Sequence, residues 1–192
     1  MSAPNDTVEP VLRELGARLG GIDIVCANAG MGSGGRLGSG KFDHHRRTVE
    51  TNVIGAMATI EAAVAMFREQ GQGHIVAISS VAAFRGLPTS APYSASKAAL
   101  AVLMDGLRAE LVGSGIQTTT LFPGYIDTPI NRHMKQRPFL VDSVTGGRVM
   151  ADLIEKRVVR STVPVFPWNL VSKILPLLPL SAVAKMGHGK DG

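Results

Sequence analysis

The stretch SSVAAFRGLPTSAPYSASKA, Ser79 to Ala98, decides how the chain folds. It follows the apolar run Ile75-Val76-Ala77-Ile78, which reads as a buried strand, and it leads into a helix that carries Tyr93 and Lys97 four residues apart. Side chains at that spacing share one helix face. Ser80 stands thirteen positions before Tyr93, at the strand's end. A hydroxyl at a strand terminus thus faces a phenol and an ammonium on the next helix.

Those groups suit proton exchange with an alcohol or carbonyl while a hydride moves. A free tyrosine titrates near ~10, too high for a base at neutral pH, but a fixed ammonium nearby favours the phenolate and lowers that value. Tyr93 then passes a proton in either direction. The Ser80 hydroxyl holds the substrate oxygen and shares its developing charge. A Tyr-x-x-x-Lys pattern alone arises in many amphipathic helices, so the weight rests on the whole stretch with its Tyr93-Ser94-Ala95-Ser96-Lys97 core.

On these residues the chain resembles the short-chain dehydrogenase/reductase family, whose members carry a serine, a tyrosine and a lysine in this order and spacing. The likeness runs from about residue 2 to about residue 175. It implies an α/β fold, a Rossmann-like doubly wound parallel sheet lacking its first βαβαβ portion (strands one to three), as one partial domain over residues 1–192. It also implies an oxidoreductase that moves a hydride between NAD or NADP and an alcohol or carbonyl, with Tyr93 as acid/base, Lys97 lowering its pKa and Ser80 on the substrate oxygen.

Earlier in the chain, Asn5-Asp6-Thr7 marks a helix start, with Glu9 placed as in a capping box and Val8, Val11, Leu12, Leu15 and Leu19 on one face. Ile22 to Ala27 reads as a strand that is apolar on both faces, typical of a parallel sheet covered by helices. It ends in Asn28-Ala29-Gly30. In the family this tripeptide follows the fourth strand, where the asparagine steadies the sheet and the loop lies beside the cofactor's adenosine half; the plain alternative is a turn cap.

The segment Gly30 to Gly40 matches two phosphate-loop spacings, GxxxGxG at Gly34, Gly38 and Gly40, and GxxxxGK at Gly35, Gly40 and Lys41. The second fails where Phe42 replaces the Ser or Thr that would meet magnesium, and both lie too far from the strand end. The segment reads as a flexible loop. A long helix follows from Phe42 to Glu69, with Val49, Val53, Met57, Ile60, Val64 and Phe67 as an apolar stripe that packs on the sheet or in a subunit interface. Asn52 matches the residue with which the family holds a water in the proton relay behind the lysine; the alternative is a satisfied core amide.

His74 to Ser79 is the next strand. The Tyr93 helix reaches about Val112, with Leu100, Leu103, Leu107 and Leu111 on its apolar face, and Ile116 to Phe122 is another strand. Pro123-Gly124-Tyr125-Ile126-Asp127-Thr128 resembles the family's nicotinamide-carboxamide loop. The resemblance therefore sets Asn28, Ala29, Gly30, Tyr93, Lys97, Pro123, Gly124, Ile126 and Thr128 against the dinucleotide, and Asn52, Ser80, Tyr93 and Lys97 in catalysis. No residues are assigned to a metal.

Residues 129–147 correspond to the family's substrate loop, with Met134, Phe139 and Leu140 as candidate lining residues. Val149 to Val158 reads as a helix, Arg160 to Phe166 as a last strand, and 167–192 as an apolar C-terminal cap over the pocket, which tilts the substrate towards a lipophilic one.

With 192 residues, 45% hydrophobic content and 22 glycines, the composition fits one compact domain. The formal charge is +5, yet only His44-His45-Arg46-Arg47 forms a basic cluster, and that reads as a solvated helix start before it reads as a nucleic-acid site. The single cysteine, Cys26, reads as core packing. The first twenty residues carry five charges among them and no apolar segment of the signal-peptide kind. Val163 to Ala184 is the longest apolar region, but Pro164, Pro167, Lys173, Pro176 and Pro179 interrupt it, which argues against a transmembrane segment and leaves a place on a membrane surface open. A cytoplasmic location, peripheral membrane contact and homodimers or homotetramers follow from the resemblance and this pattern.

The family opens with a strand, a glycine-rich turn and a helix, and none of these is read here; Met1 to Asp6 resembles the Asp-Val-Ser after its third strand, with methionine in the valine's place. The family's fourth strand pairs with its first, so the strand ending at Ala27 becomes an exposed apolar edge. The expectation is an N-terminally truncated product of a longer enzyme. A second reading is a truncated, non-catalytic relative that binds no dinucleotide, and a third, a P-loop hydrolase, rests on Lys41 alone.

Overall fold

A computed structural model describes residues 5–186 apart from Ser33, His133 and Lys135. Residues 1–4, which carry most of the likeness at the start of the chain, and 187–192 of the C-terminal cap lie outside the described residues. The elements are α1 (Asn5–Leu19), β1 (Ile24–Ala27), α2 (Phe42–Val49), a π-helical turn (Glu50–Gly55), α3 (Ala56–Gln70), β2 (Gly73–Ile78), a 3₁₀ turn (Val81–Phe84) and α4 (Ala91–Glu110). They continue with β3 (Ile116–Pro123), α5 (Ser143–Glu155), β4 (Arg160–Val163), α6 (Trp168–Ile174), a second 3₁₀ turn (Leu175–Leu177) and α7 (Leu180–Met186).

The four strands form one sheet in the order β1-β2-β3-β4. Every pair is parallel, with Val25 beside Ile75, Ala77 beside Thr120 and Phe122 beside Thr162. Parallel strands need crossover connections, and helices supply them. On one face Val25, Ala27, Ile75 and Ala77 pack against Ile60, Val64 and Phe67 of α3 and Leu100, Met104 and Leu107 of α4. On the other, Leu121 and Val163 meet Val149, Met150, Leu153 and Ile154 of α5. The sheet is flanked on both sides, a Rossmann-like α/β arrangement.

Packing corrects four readings of the sequence. The strand ending at Ala27 is buried on one face only: Val25 and Ala27 point into the core, whereas Ile24 is 48% exposed and Cys26 is exposed too, because no described element covers that side. Cys26 is therefore not a core residue. In α1, Leu12 reaches the core while Val11, Leu15 and Leu19 stay exposed. The long helix is interrupted by the π-turn at Glu50–Gly55, and its stripe is buried at Ile60, Val64 and Phe67 but exposed at Val49 and Met57.

The fourth correction concerns the C-terminal third. Helix α5 starts at Ser143, since the Asp142 carboxylate accepts from the Thr145 backbone N–H (2.9 Å) and hydroxyl (2.6 Å) as a cap, and β4 stops at Val163 before Pro164. Among the described residues, only Phe42–Gln70 is long and apolar enough to cross a membrane by length and composition. Its buried side chains face the sheet.

Candidate active site

Four elements converge at the C-terminal ends of β2 and β3. Backbone and side chains of the deciding stretch fasten it together: the Ser79 hydroxyl donates to the Lys97 carbonyl (2.8 Å), the Lys97 ammonium donates to the Ile78 carbonyl (2.8 Å), and the Ser96 hydroxyl donates to the Tyr93 carbonyl (2.8 Å). The start of α4 is thereby tied to the end of β2. Ser80 caps the first 3₁₀ turn, its hydroxyl oxygen accepting the Ala82 N–H (3.2 Å). The Ser80 hydroxyl also lies 3.4 Å from the Pro123 carbonyl and interacts with the Tyr93 phenol.

Lys97 is 4% exposed, and its ammonium lies 6.0 Å from the centroid of the Tyr93 ring. Burial holds the Lys97 amine down to about 8. Burial also lifts the Tyr93 phenol above its ordinary value, a hydrogen bond with Ser80 pulls it back, and Tyr125 adds to the rise. In the free chain desolvation of the phenol dominates, and the Lys97 ammonium donates its hydrogen bond to the Ile78 carbonyl.

Asn52, fully buried, sits in the π-turn. Its amide donates to the Met31 carbonyl (2.9 Å) and the Ser96 hydroxyl (3.0 Å), and its carbonyl accepts the Met31 N–H (2.8 Å). The side chain is a satisfied core amide that straps the 28–31 loop to α4. A π-turn inserts one residue in a helix and recurs at functional sites; here it aims this amide at Met31. Asn28, Ala29 and Gly30 are exposed along the rim. At Gly30 an added Cβ would lie 3.2 Å from the Lys97 nitrogen and 3.4 Å from the Asn52 oxygen, so a side chain there would crowd both.

Opposite them, Pro123 ends β3, and the Gly124 N–H donates to the Val163 carbonyl (2.9 Å). Ile126 is buried and bridges to Val141, while the Thr128 hydroxyl donates to the Ile126 carbonyl (3.2 Å). The 129–147 loop returns to this turn. Its anchor is Arg137, which donates to Asp127 (2.7 Å) and Asn131 (3.3 Å), with Asn131 in turn donating to the Ile126 carbonyl (2.8 Å). Met134, Phe139 and Leu140 are exposed, and Phe139 meets Trp168 edge-on at 5.6 Å.

Trp168 is the residue that the sequence does not single out. It is 5% exposed, its indole N–H is buried without a partner, and it covers Gly124 so closely that an added Cβ there would lie 2.1 Å from the indole nitrogen. Being the chain's single tryptophan in a proline-broken segment is its only signal. Gly124→Ala must displace the indole, so the expected outcome is a red-shifted Trp168 emission in an otherwise folded chain, read by fluorescence beside far-ultraviolet circular dichroism; an unshifted spectrum would contradict the packing.

This arrangement of parallel sheet, strand-end serine and tyrosine-lysine helix defines a class. The chain matches the short chain dehydrogenase family over residues 2–138. It is 40% identical over 176 residues to an uncharacterised oxidoreductase of Mycobacterium tuberculosis, covering 91% of this chain and 70% of that relative. The chain belongs to the short chain dehydrogenase family.

Two solved structures share the fold. A short chain dehydrogenase/reductase from Burkholderia phymatum in complex with NAD superposes with a TM-score of 0.78 at 18% identity, over 100% of this chain and 77% of that one. A short chain dehydrogenase from Burkholderia cenocepacia in complex with NADP gives 0.76 at 23% identity, over 95% and 75%. Both solved structures share this chain's fold, and each of them holds its own nicotinamide dinucleotide.

Proposed function

We propose that the chain is a nicotinamide-dependent oxidoreductase acting on an alcohol or carbonyl, with Ser80, Tyr93 and Lys97 in catalysis and Asn52 as a positioning residue. The observation that carries this reading is the joint placement of the Lys97 ammonium, the Tyr93 phenol and the Ser80 hydroxyl beside that phenol at the ends of β2 and β3. The fit to the dinucleotide rests on the side-chain-free approach at Gly30 beside Lys97 and Asn52, and on the turn from Pro123 to Thr128 across from it. Pro123, Gly124, Ile126 and Thr128 would hold the nicotinamide side and Asn28, Ala29 and Gly30 the adenosine half, with Tyr93 and Lys97 also against the dinucleotide.

The dinucleotide, when bound, supplies or accepts the hydride. Everything else falls to the chain. In reduction, Tyr93 gives its phenolic proton to the substrate oxygen as charge develops there, and the Ser80 hydroxyl donates a hydrogen bond to that same oxygen. In oxidation the proton moves the other way. Lys97, charged below about pH 8, favours the phenolate left on Tyr93. Asn52 keeps Met31 and Ser96 in place, and with them the loop edge and the first turn of α4.

The exposed Met134, Phe139 and Leu140 support a lipophilic substrate entering beside the 129–147 loop. Exposed apolar residues Val49, Met57 and Val102 support pairing of two copies through the long helices. The unpaired edge of β1 and its exposed Ile24 favour the second reading, a family member that does not bind the dinucleotide by itself. The two readings part in one assay. Purified chain is given NAD or NADP with a panel of secondary alcohols of increasing length, and reduced nicotinamide is followed by absorbance; turnover that rises with alcohol length supports the oxidoreductase, and none with any pair supports the second reading.

A further inference from the structure

Helix α6 and the turn after it are apolar on two sides. Trp168, Val171 and Leu175 face inward, where Trp168 is 5% and Leu175 7% exposed. Leu170, Ile174 and Leu177, spaced by four and three residues along a second stripe, are 51%, 56% and 81% exposed. Phe166 at 71% and Leu180 at 76% stand at either end of that stripe. A helix carrying a second apolar stripe needs a further apolar neighbour beyond the core it already covers.

The lip is also fixed in place. Arg85 donates to the carbonyls of Pro176 (3.0 Å) and Leu178 (3.3 Å), on either side of Leu177, so this side chain is held outward by the protein itself. Charge says what the neighbour is. From Lys156 to Lys190 the chain has no Asp or Glu at all, while Lys173 lies on the same side of α6 as Leu170, Ile174 and Leu177, at i+3 from the first and i−4 from the last. Lys173 also lines an open cleft of about 440 Å³ with Ser172, Asn169 and Arg160, the last of which is paired with Asp105 (2.9 Å). An apolar lip whose own segment carries cations and no carboxylate matches a surface that is apolar within and negative at its rim, which is an anionic lipid bilayer.

We propose that the segment from Phe166 to Leu180 docks on anionic membrane, with Phe166, Leu170, Ile174, Leu177 and Leu180 entering the interface and Lys173 meeting lipid phosphates. A second copy of the chain would fit the apolar stripe but would bring no carboxylate from this segment to meet Lys173. The inference does not depend on the proposed reaction. It extends to a lipophilic substrate delivered from the bilayer, since Trp168 joins this segment to Phe139 of the substrate loop.

The test is co-sedimentation of the full chain with sonicated vesicles of phosphatidylcholine alone and of phosphatidylcholine mixed with phosphatidylglycerol. Binding is expected to the mixed vesicles only, to be lost in the double variant Leu177→Glu/Leu180→Glu, and to weaken on Lys173→Glu by at least about fivefold, on the scale of ~1 kcal/mol per cation at a lipid surface. All three side chains are exposed, and circular dichroism and light scattering on each variant check fold and mass. No sedimentation with mixed vesicles, binding that the double variant retains, or a dimer that Leu177→Glu/Leu180→Glu converts to monomer would overturn the proposal.

Discussion

Tyr93→Phe is expected to lower turnover by about 10²–10⁴-fold, the usual worth of a positioned acid/base, while leaving the fold intact. The aromatic ring is retained, so Gly32 beside it keeps its neighbour. What disappears is the one hydroxyl that interacts with Ser80 and is held protonated by burial at neutral pH. Dinucleotide binding should change little. Steady-state assays with circular dichroism in parallel check this, and activity equal to the parent would remove Tyr93 from the mechanism.

Lys97→Met is expected to act on activity and stability in opposite directions. Turnover falls because the phenolate on Tyr93 loses its one nearby cation. Stability behaves otherwise, since the buried amine is held at about 8 against an ordinary 10.5. A depressed value means the unfolded chain binds the extra proton between those limits, so the burden on the native state is complete below about pH 8 and gone above about 10.5. That difference corresponds to roughly 3 kcal/mol, against which the substitution leaves the Ile78 carbonyl without its partner at a cost of about 1–3 kcal/mol. At pH 7 the variant should be at least as stable as the parent, and its relative stability should decline as pH rises from 8 to 10.5. Urea unfolding across that range is the measurement; a gap that stays constant with pH would mean Lys97 is not a buried cation.

Much of the fold is legible in the order of the residues. Ser79 to Ala98 signals a strand, a turn and a helix because an apolar run changes period there from strand to helix, and the packing of Ile75, Leu100 and Leu107 follows that pattern. The turn after β3 is legible because Pro123-Gly124 ends an apolar run. What stays hidden depends on contacts between distant segments. The exposure of Ile24 and Cys26 is set by what covers a sheet face, which a four-residue strand does not encode. The π-turn around Asn52 adds one residue to a helix without breaking its apolar stripe, so periodicity passes over it. Gly146-Gly147 masks the start of α5, though Asp142 and Thr145 hold the capping signal. Trp168 reaches Gly124 across 44 residues of chain, as no local pattern reveals.

The central claim is that the site between Lys97 and Gly124 receives the nicotinamide half of a dinucleotide. Trp168 covers Gly124 and is the only tryptophan, so its emission reports on that site alone. The decisive measurement is a titration of the chain with NADH and with NADPH, exciting Trp168 and following energy transfer to the reduced nicotinamide. Saturable transfer with at least one of the two, abolished by excess of the oxidised form, is the predicted result; Trp168 emission unaffected by either up to millimolar concentrations would contradict it.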